Sequence, residues 1–187
     1  MIKTLIRTAL LLAGTALITP AAPILSITPS VNNVQVGNTF SLFLNVASVT
    51  DLYGWQVDID FGPAGFLNAL TIAEGGFLGS GTSGITGTVD NGTATILTMA
   101  NSLTGIVPGV SGSGVLAQIS FTAMAIGNAI VTISNVQLLD SKLDSIFPDP
   151  TVSATVNIFA ANGIPEPSTF VLLSLGLAAG AILRRRT

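Results

Sequence analysis

The run VGNTFSLFLNVASVTDLYGWQVDIDF, residues 36–61, alternates apolar and polar side chains twice. Phe40, Leu42, Leu44 and Val46 recur against Ser41, Phe43 and Asn45. Tyr53, Trp55, Val57, Ile59 and Phe61 then recur against Leu52, Gly54, Gln56, Asp58 and Asp60. Successive side chains of a strand point to opposite faces, so the first set of each pair is predicted to line a core and the second largely to face solvent. GVLAQISFTA (114–123) repeats the pattern, with Val115, Ala117, Ile119 and Phe121 expected inward. AIVTISNVQLLD (129–140) and TVSATVNIF (151–159) add two more strands. Asp90-Asn91-Gly92 predicts a tight hairpin turn. Gly79–Gly84 and GIVPGVSGSG (105–114) are predicted loops. Turn clusters recur about every eight to twelve residues with no long amphipathic helix between them, which predicts an all-β fold, an antiparallel β-sandwich.

Outside this body the two ends have a different character. MIKTLIRTALLLAGTALITPAAP places Lys3 and Arg7 before ten apolar or small residues, Ala9 to Ile18, followed by small residues at the −3/−1 spacing. This is the pattern of a secretory signal peptide over residues 1–22. Residues 165–187 begin with Pro165-Glu166-Pro167, continue through the apolar run Phe170 to Leu183, and end on Arg184, Arg185 and Arg186. As a helix the run would rise about 21 Å against a hydrocarbon core of about 30 Å, so it enters a bilayer but spans it marginally. A basic cluster behind an apolar segment stays on the cytoplasmic side and leaves the body, residues 23–164, outside. The alternative is a permanent membrane anchor.

Charge and composition exclude much. The body carries eight acids against one base, Lys142, a net of −7, although the whole chain carries −3. Such a surface cannot exchange counterions with a phosphate backbone, so no nucleic-acid partner is expected. The chain has no cysteine and no histidine. That removes disulfides, thiolate chemistry, the histidine-dependent triads and the usual ligands of transition metals.

The motifs that remain are few. Gly79-Ser80-Gly81-Thr82-Ser83-Gly84 spells a dinucleotide fingerprint and Gly112 to Ala117 its alanine variant, but strand patterns follow both where the motif requires a helix. Asp58 and Asp60 share one strand face. They read as a solvated acidic face, with two alternatives open. One is a calcium site shared with Asp140, Asp144 or Asp149, since carboxylate oxygens suit a hard cation. The other is a glycosidase-like acid pair, which needs one carboxyl in an apolar pocket. Tyr53, Trp55 and Phe61 read as core side chains, with a sugar-stacking platform as the alternative. Asn91-Gly92-Thr93 spells a glycosylation sequon and reads as a turn.

Two resemblances follow from these residues. Pro165-Glu166-Pro167, the apolar run and the terminal arginines together resemble the PEP-CTERM sorting signal. That resemblance implies a Gram-negative-type bacterium, transient residence in the inner membrane, processing by an exosortase, and delivery to the cell surface or an extracellular polysaccharide matrix. The VGNTF entry, the LYGWQ strand ending in acids, and GSGVLAQISF resemble the cohesin-type sandwich. This implies a jelly roll acting as a non-catalytic adhesion or docking module, with a surface protein or extracellular polysaccharide as partner. Nothing in the chain resembles the dockerin repeat that cohesins bind. No cofactor is expected other than the calcium alternative. The competing functions are a carbohydrate-active enzyme using a carboxylate pair and a permanently anchored envelope protein with a calcium-stabilised domain.

Overall fold

A computed structural model describes residues 21–160. The signal-peptide region, Pro165 to Pro167, the apolar run and Arg184 to Arg186 lie outside the described residues. Ten strands follow in order: β1 Ile24–Pro29, β2 Asn33–Gln35, β3 Thr39–Asp60, β4 Leu67–Glu74, β5 Thr86–Asp90, β6 Thr95–Ser102, β7 Val110–Ala123, β8 Gly127–Asp140, β9 Ser145–Ile146 and β10 Ala154–Phe159. They form one curled sheet with two facing layers, all-β as expected. Every pairing is antiparallel except β2 with β10.

The curl is the work of β3. Its first half, Thr39 to Ala47, pairs with β1 and β7, while its second half, Gly54 to Asp60, pairs with β6 and β8. Between the halves Ser48 and Asp51 take left-handed backbone angles, with φ of 57° and 58°. Each inserts an extra residue against β7, so the register slips between Val46 and Val49 and again between Val49 and Leu52. A bulge bends a strand and raises its twist, and two in succession turn β3 from one layer into the other. The two ends of β3 therefore come together. Phe40 stacks on Phe121 at 6.0 Å between centroids, and Phe61 meets the same ring edge-on at 5.1 Å.

These irregularities explain where the expected alternation departs. Leu52, expected outward, is fully buried, and Tyr53, expected in the core, is half-buried with its hydroxyl donating to Gly105 O at 2.7 Å. The bulges on either side shift the parity for that one pair, and Trp55, Val57, Ile59 and Phe61 point inward as expected. In β7 a bulge at Leu116 puts Leu116 and Ala117 both inside and leaves Val115 half-buried, where Val115 was expected in the core. The predicted loop 105–114 ends early, because Val110 to Gly114 pair with the corner of β3. Asp90 and Thr95 close a hairpin loop of four residues rather than a two-residue turn. Ala94, not Gly92, takes the positive φ there. Asn91 is drawn away from the turn: its side chain accepts from Ala69 N at 2.7 Å and donates to Ala69 O at 3.1 Å, closing the ladder where Leu70 bulges from β4.

Candidate functional site

Gly54 sits in the middle of a strand where every neighbour carries a side chain. Its register partners are Ser102 on β6 and Leu139 on β8, and one step along the same face Gln56 faces Ala100 and Gln137. Two rows of three residues thus cross β8, β3 and β6 on the outer face of the layer, with a missing side chain at the centre of one row. The result is an open hollow of about 190 Å³ with Gly54 on its floor and Ser83 and Thr86 on its far wall. A Cβ at Gly54 would stand 3.2 Å from Ser102 Cβ, so the two strands are closely apposed there. No charged side chain lines the hollow.

Thr86 of the far wall opens β5, and Ser83 comes from the glycine-rich segment that spells a nucleotide fingerprint. Gly79, Gly81 and Gly84 all have φ near +80°, and the segment folds back along the edge of β6. Ser83 N donates to Ser102 O at 2.7 Å, and Ser102 N donates to Ser83 Oγ at 3.3 Å. Gly112 to Ala117 form part of β7, so neither segment opens a helix. Asn101 anchors the wall from below. It is buried opposite Trp55, its amide donates to Glu74 Oε1 at 2.7 Å, and its Oδ1 accepts from Ser83 Oγ at 3.3 Å.

Asp58 lies lower on the same face. Its Oδ1 accepts from Thr98 N and its Oδ2 from Asn135 Nδ2, both at 2.6 Å. Thr98 and Asn135 have φ of 50° and 48°, and each sits at a register break in β6 or β8. One carboxylate therefore holds bulges in both neighbouring strands. Asp60 accepts from Ser134 Oγ at 3.1 Å. The later acids lie elsewhere. Asp140 is paired opposite Leu52, six residues or about 20 Å along β3 from Asp58. Its Oδ1 accepts from the N–H groups of Lys142 and Asp144 in its own turn. Asp149 N donates to Pro23 O. Among the described residues no group of three or more acids is gathered as a metal would require, and Asp58 and Asp60 lie on an open sheet face. Tyr53, Trp55 and Phe61 do not form a surface platform: Trp55 and Phe61 are inside, and Trp55 Nε1 is buried without a hydrogen-bond partner.

Asp51, at the corner of β3, was not singled out by its sequence context. Its carboxylate accepts from Ser141 Oγ and from Gly109 N, both at 2.7 Å, and so ties the loops after β6 and β8 to the corner. The Ser141 hydroxyl first, then the Gly109 N–H, hold its carboxyl below the usual aspartate value. Turn donors from Thr93 and Gly92 lower Asp90 in the same way. Because the folded-state value of Asp51 lies below the unfolded one, its ionised form stabilises the fold above the ordinary aspartate range. That contribution is lost as pH falls through the lowered value. Asp51→Asn is expected to lower the melting temperature at neutral pH and to shallow its decline below about pH 4. An unchanged acid limb in thermal melts of the variant contradicts the assignment.

The sequence pattern of the Cohesin domain matches residues 25–158, and that of the PEP-CTERM protein-sorting motif matches residues 163–186. No curated protein matches the sequence. Among solved structures, the second type II cohesin module of the adaptor scaffoldin ScaA from Acetivibrio cellulolyticus is 18% identical. It aligns over 79% of this chain and 96% of its own, with a TM-score of 0.64. A non-cellulosomal cohesin from the archaeon Archaeoglobus fulgidus is 13% identical over 74% of this chain and 92% of its own, with a TM-score of 0.61. A type I cohesin–dockerin complex from Clostridium thermocellum aligns at 11% identity over 75% of this chain and 96% of the matched one, with a TM-score of 0.62. At these identities the structures speak for the fold, and the sequence match speaks for descent. With a cohesin pattern running from the first strand to the last and a sheet curled as in solved cohesins, the chain belongs to the cohesin domain family.

Proposed function

We propose that the protein is a non-catalytic binding module, exported through residues 1–22 and sorted through residues 163–186, whose outer β8–β3–β6–β5 face receives another protein. The hollow over Gly54 carries this reading. It is an uncharged depression between close-set strands, bordered by Gln56, Gln137 and Ser102, which offer donors and acceptors, and by the half-exposed Leu139. A protruding side chain of a partner would fill it, while the bordering amides and hydroxyl would pair with the partner's polar groups. The solved relatives include a cohesin in complex with a dockerin, which supports a protein partner in general without naming this one. The polysaccharide alternative has less support, because Trp55 and Phe61, two of the three rings that would stack on sugar, are buried and only Tyr53 reaches the surface in part.

In this reading Pro165, Glu166 and Pro167 are the exosortase recognition site. Arg184 to Arg186 hold the precursor on the cytoplasmic side until cleavage, and the body passes to the cell surface or matrix. Catalysis is not part of the proposal. Asp58 is engaged by two bulges, and Lys142 lies between Asp140 and Asp144 in sequence, so neither resembles an activated base or nucleophile.

Gln137 is exposed, so Gln137→Arg changes the face without touching the core. The variant is expected to lose capture of envelope or matrix proteins that the unaltered chain retains, with unchanged circular dichroism. Equal capture by both, or turnover of a polysaccharide by the purified chain, overturns the reading.

A further inference from the structure

The chain leaves the body at an end of the sandwich that is apolar and uncharged. Phe159, the last residue of β10, is 40% exposed, and its carbonyl accepts from Val36 N at 3.0 Å. Next in the same turn, Gly37 N donates to Ala123 O at 2.8 Å, and Met124 N donates to Phe66 O at 2.8 Å. Gly127 pairs with Ile158, and a Cβ there would meet the Phe66 ring at 2.7 Å, so the β7–β8 turn is pressed onto that ring. These bonds bring Phe159, Met124 (53% exposed) and Ile126 (63% exposed) to one end, over the half-buried Phe66.

No charged residue occurs between Arg7 and Asp51, between Asp60 and Glu74, between Asp90 and Asp140 or between Asp149 and Glu166, so none of the segments that build this patch carries charge. The acids nearest to this end, Asp60 and Asp90, belong to the β3–β6–β5 side. Asp51, Asp140 and Asp144 lie at the opposite end, beside the corner of β3.

Ten residues separate Phe159 from Phe170, where the apolar run begins. Even fully extended they reach about 35 Å, so a bilayer that holds the run lies within one body-length of the patch. We infer that Met124, Ile126 and Phe159 form a membrane seat: while the sorting segment is in the bilayer, this end of the sandwich rests on the lipid interface, with the hollow over Gly54 to one side. The inference rests on the sorting function proposed above. Three apolar side chains on an uncharged rim bind lipid weakly by themselves, and the tether makes the contact intramolecular. The seat releases when the segment is cut. Because apolar burial alone drives it, zwitterionic lipid serves as well as anionic lipid.

The chain has no cysteine, so single-cysteine variants of the full chain can carry an environment-sensitive fluorophore. Met124→Cys and Ile126→Cys report the seat, and Ile106→Cys, fully exposed at the opposite end, is the control. Each is reconstituted into phosphatidylcholine vesicles, with and without phosphatidylglycerol, and tested for flotation and for quenching by spin-labelled lipid. Flotation with blue-shifted, lipid-quenched emission at 124 and 126 but not at 106, in both lipids, supports the seat. Flotation without quenching at 124 and 126 overturns the seat and leaves the sorting function standing. A blue shift without lipid quenching means that protein, a second copy or the chain's own apolar run, covers the patch, and also overturns it. Chain that does not float overturns both.

Discussion

Phe121→Ala lowers the stability of the body by about 3–5 kcal/mol, the range for removing a large aromatic side chain from a packed core. The ring is fully buried and touches both Phe40 and Phe61, the residues at the two ends of the folded-over strand. Its loss therefore removes an aromatic contact between the two layers at the end opposite the corner. For a domain of this size total stability is about 5–15 kcal/mol, so the variant sits near the edge of folding. The melting temperature is expected to fall by on the order of 10 °C. Denaturant titration followed by circular dichroism checks it: the midpoint moves down while the slope stays constant. A loss below about 1 kcal/mol would mean that the two layers do not depend on this ring.

Trp55 gives a second large effect with a built-in contrast. It is 3% exposed, and its indole Nε1 is buried with no hydrogen-bond partner. Trp55→Ala is expected to cost about 3–5 kcal/mol as a core truncation. Trp55→Phe keeps most of the apolar contact and removes an unpaired donor whose desolvation costs roughly 1–3 kcal/mol, so it is expected to be far milder than the alanine variant. The chain's only tryptophan then reports directly: the folded protein emits at short wavelength and shifts red on unfolding. If Trp55 instead formed a ligand platform, both substitutions would abolish binding and spare stability. Matched thermal melts and binding assays of the two variants separate these cases.

The inward faces of most of β3 and of β7 from Ala117 onward were readable because alternation is local. A strand half-buried on one side must repeat every two residues, whatever it later pairs with. Reading failed where extra residues enter the ladder. Leu52, Tyr53 and Val115 each lie beside a bulge, and a bulge is decided by the partner strand rather than by the residue that shifts. The placement of Asn91 failed for the same reason. Asn-Gly favours a two-residue turn locally, but the bulge of β4 at Leu70 leaves Ala69 with open backbone groups, and the Asn91 amide satisfies them. Gly54 did leave a trace, since an isolated glycine inside an alternating strand signals a close approach. Ser102, Gln137 and Asn101 left none, because nothing in their own surroundings says that they meet.

The sequence by itself determined the all-β class, the absence of histidine and thiolate chemistry, the acidic body and the signal-like ends, each a property of composition or of short-range pattern. Only the tertiary structure decided the rest. It turned one 22-residue strand back on itself at Ser48 and Asp51, and it gave Asp58 to two bulges while setting Asp140 at a distance. It also collected Leu139, Gly54 and Ser102 into one row and Met124, Ile126 and Phe159 at one end. The physical reason is the same in each case. Long-range register is set by which strands find one another and by where the backbone can afford an extra residue, and neither is written in the neighbours of any single residue.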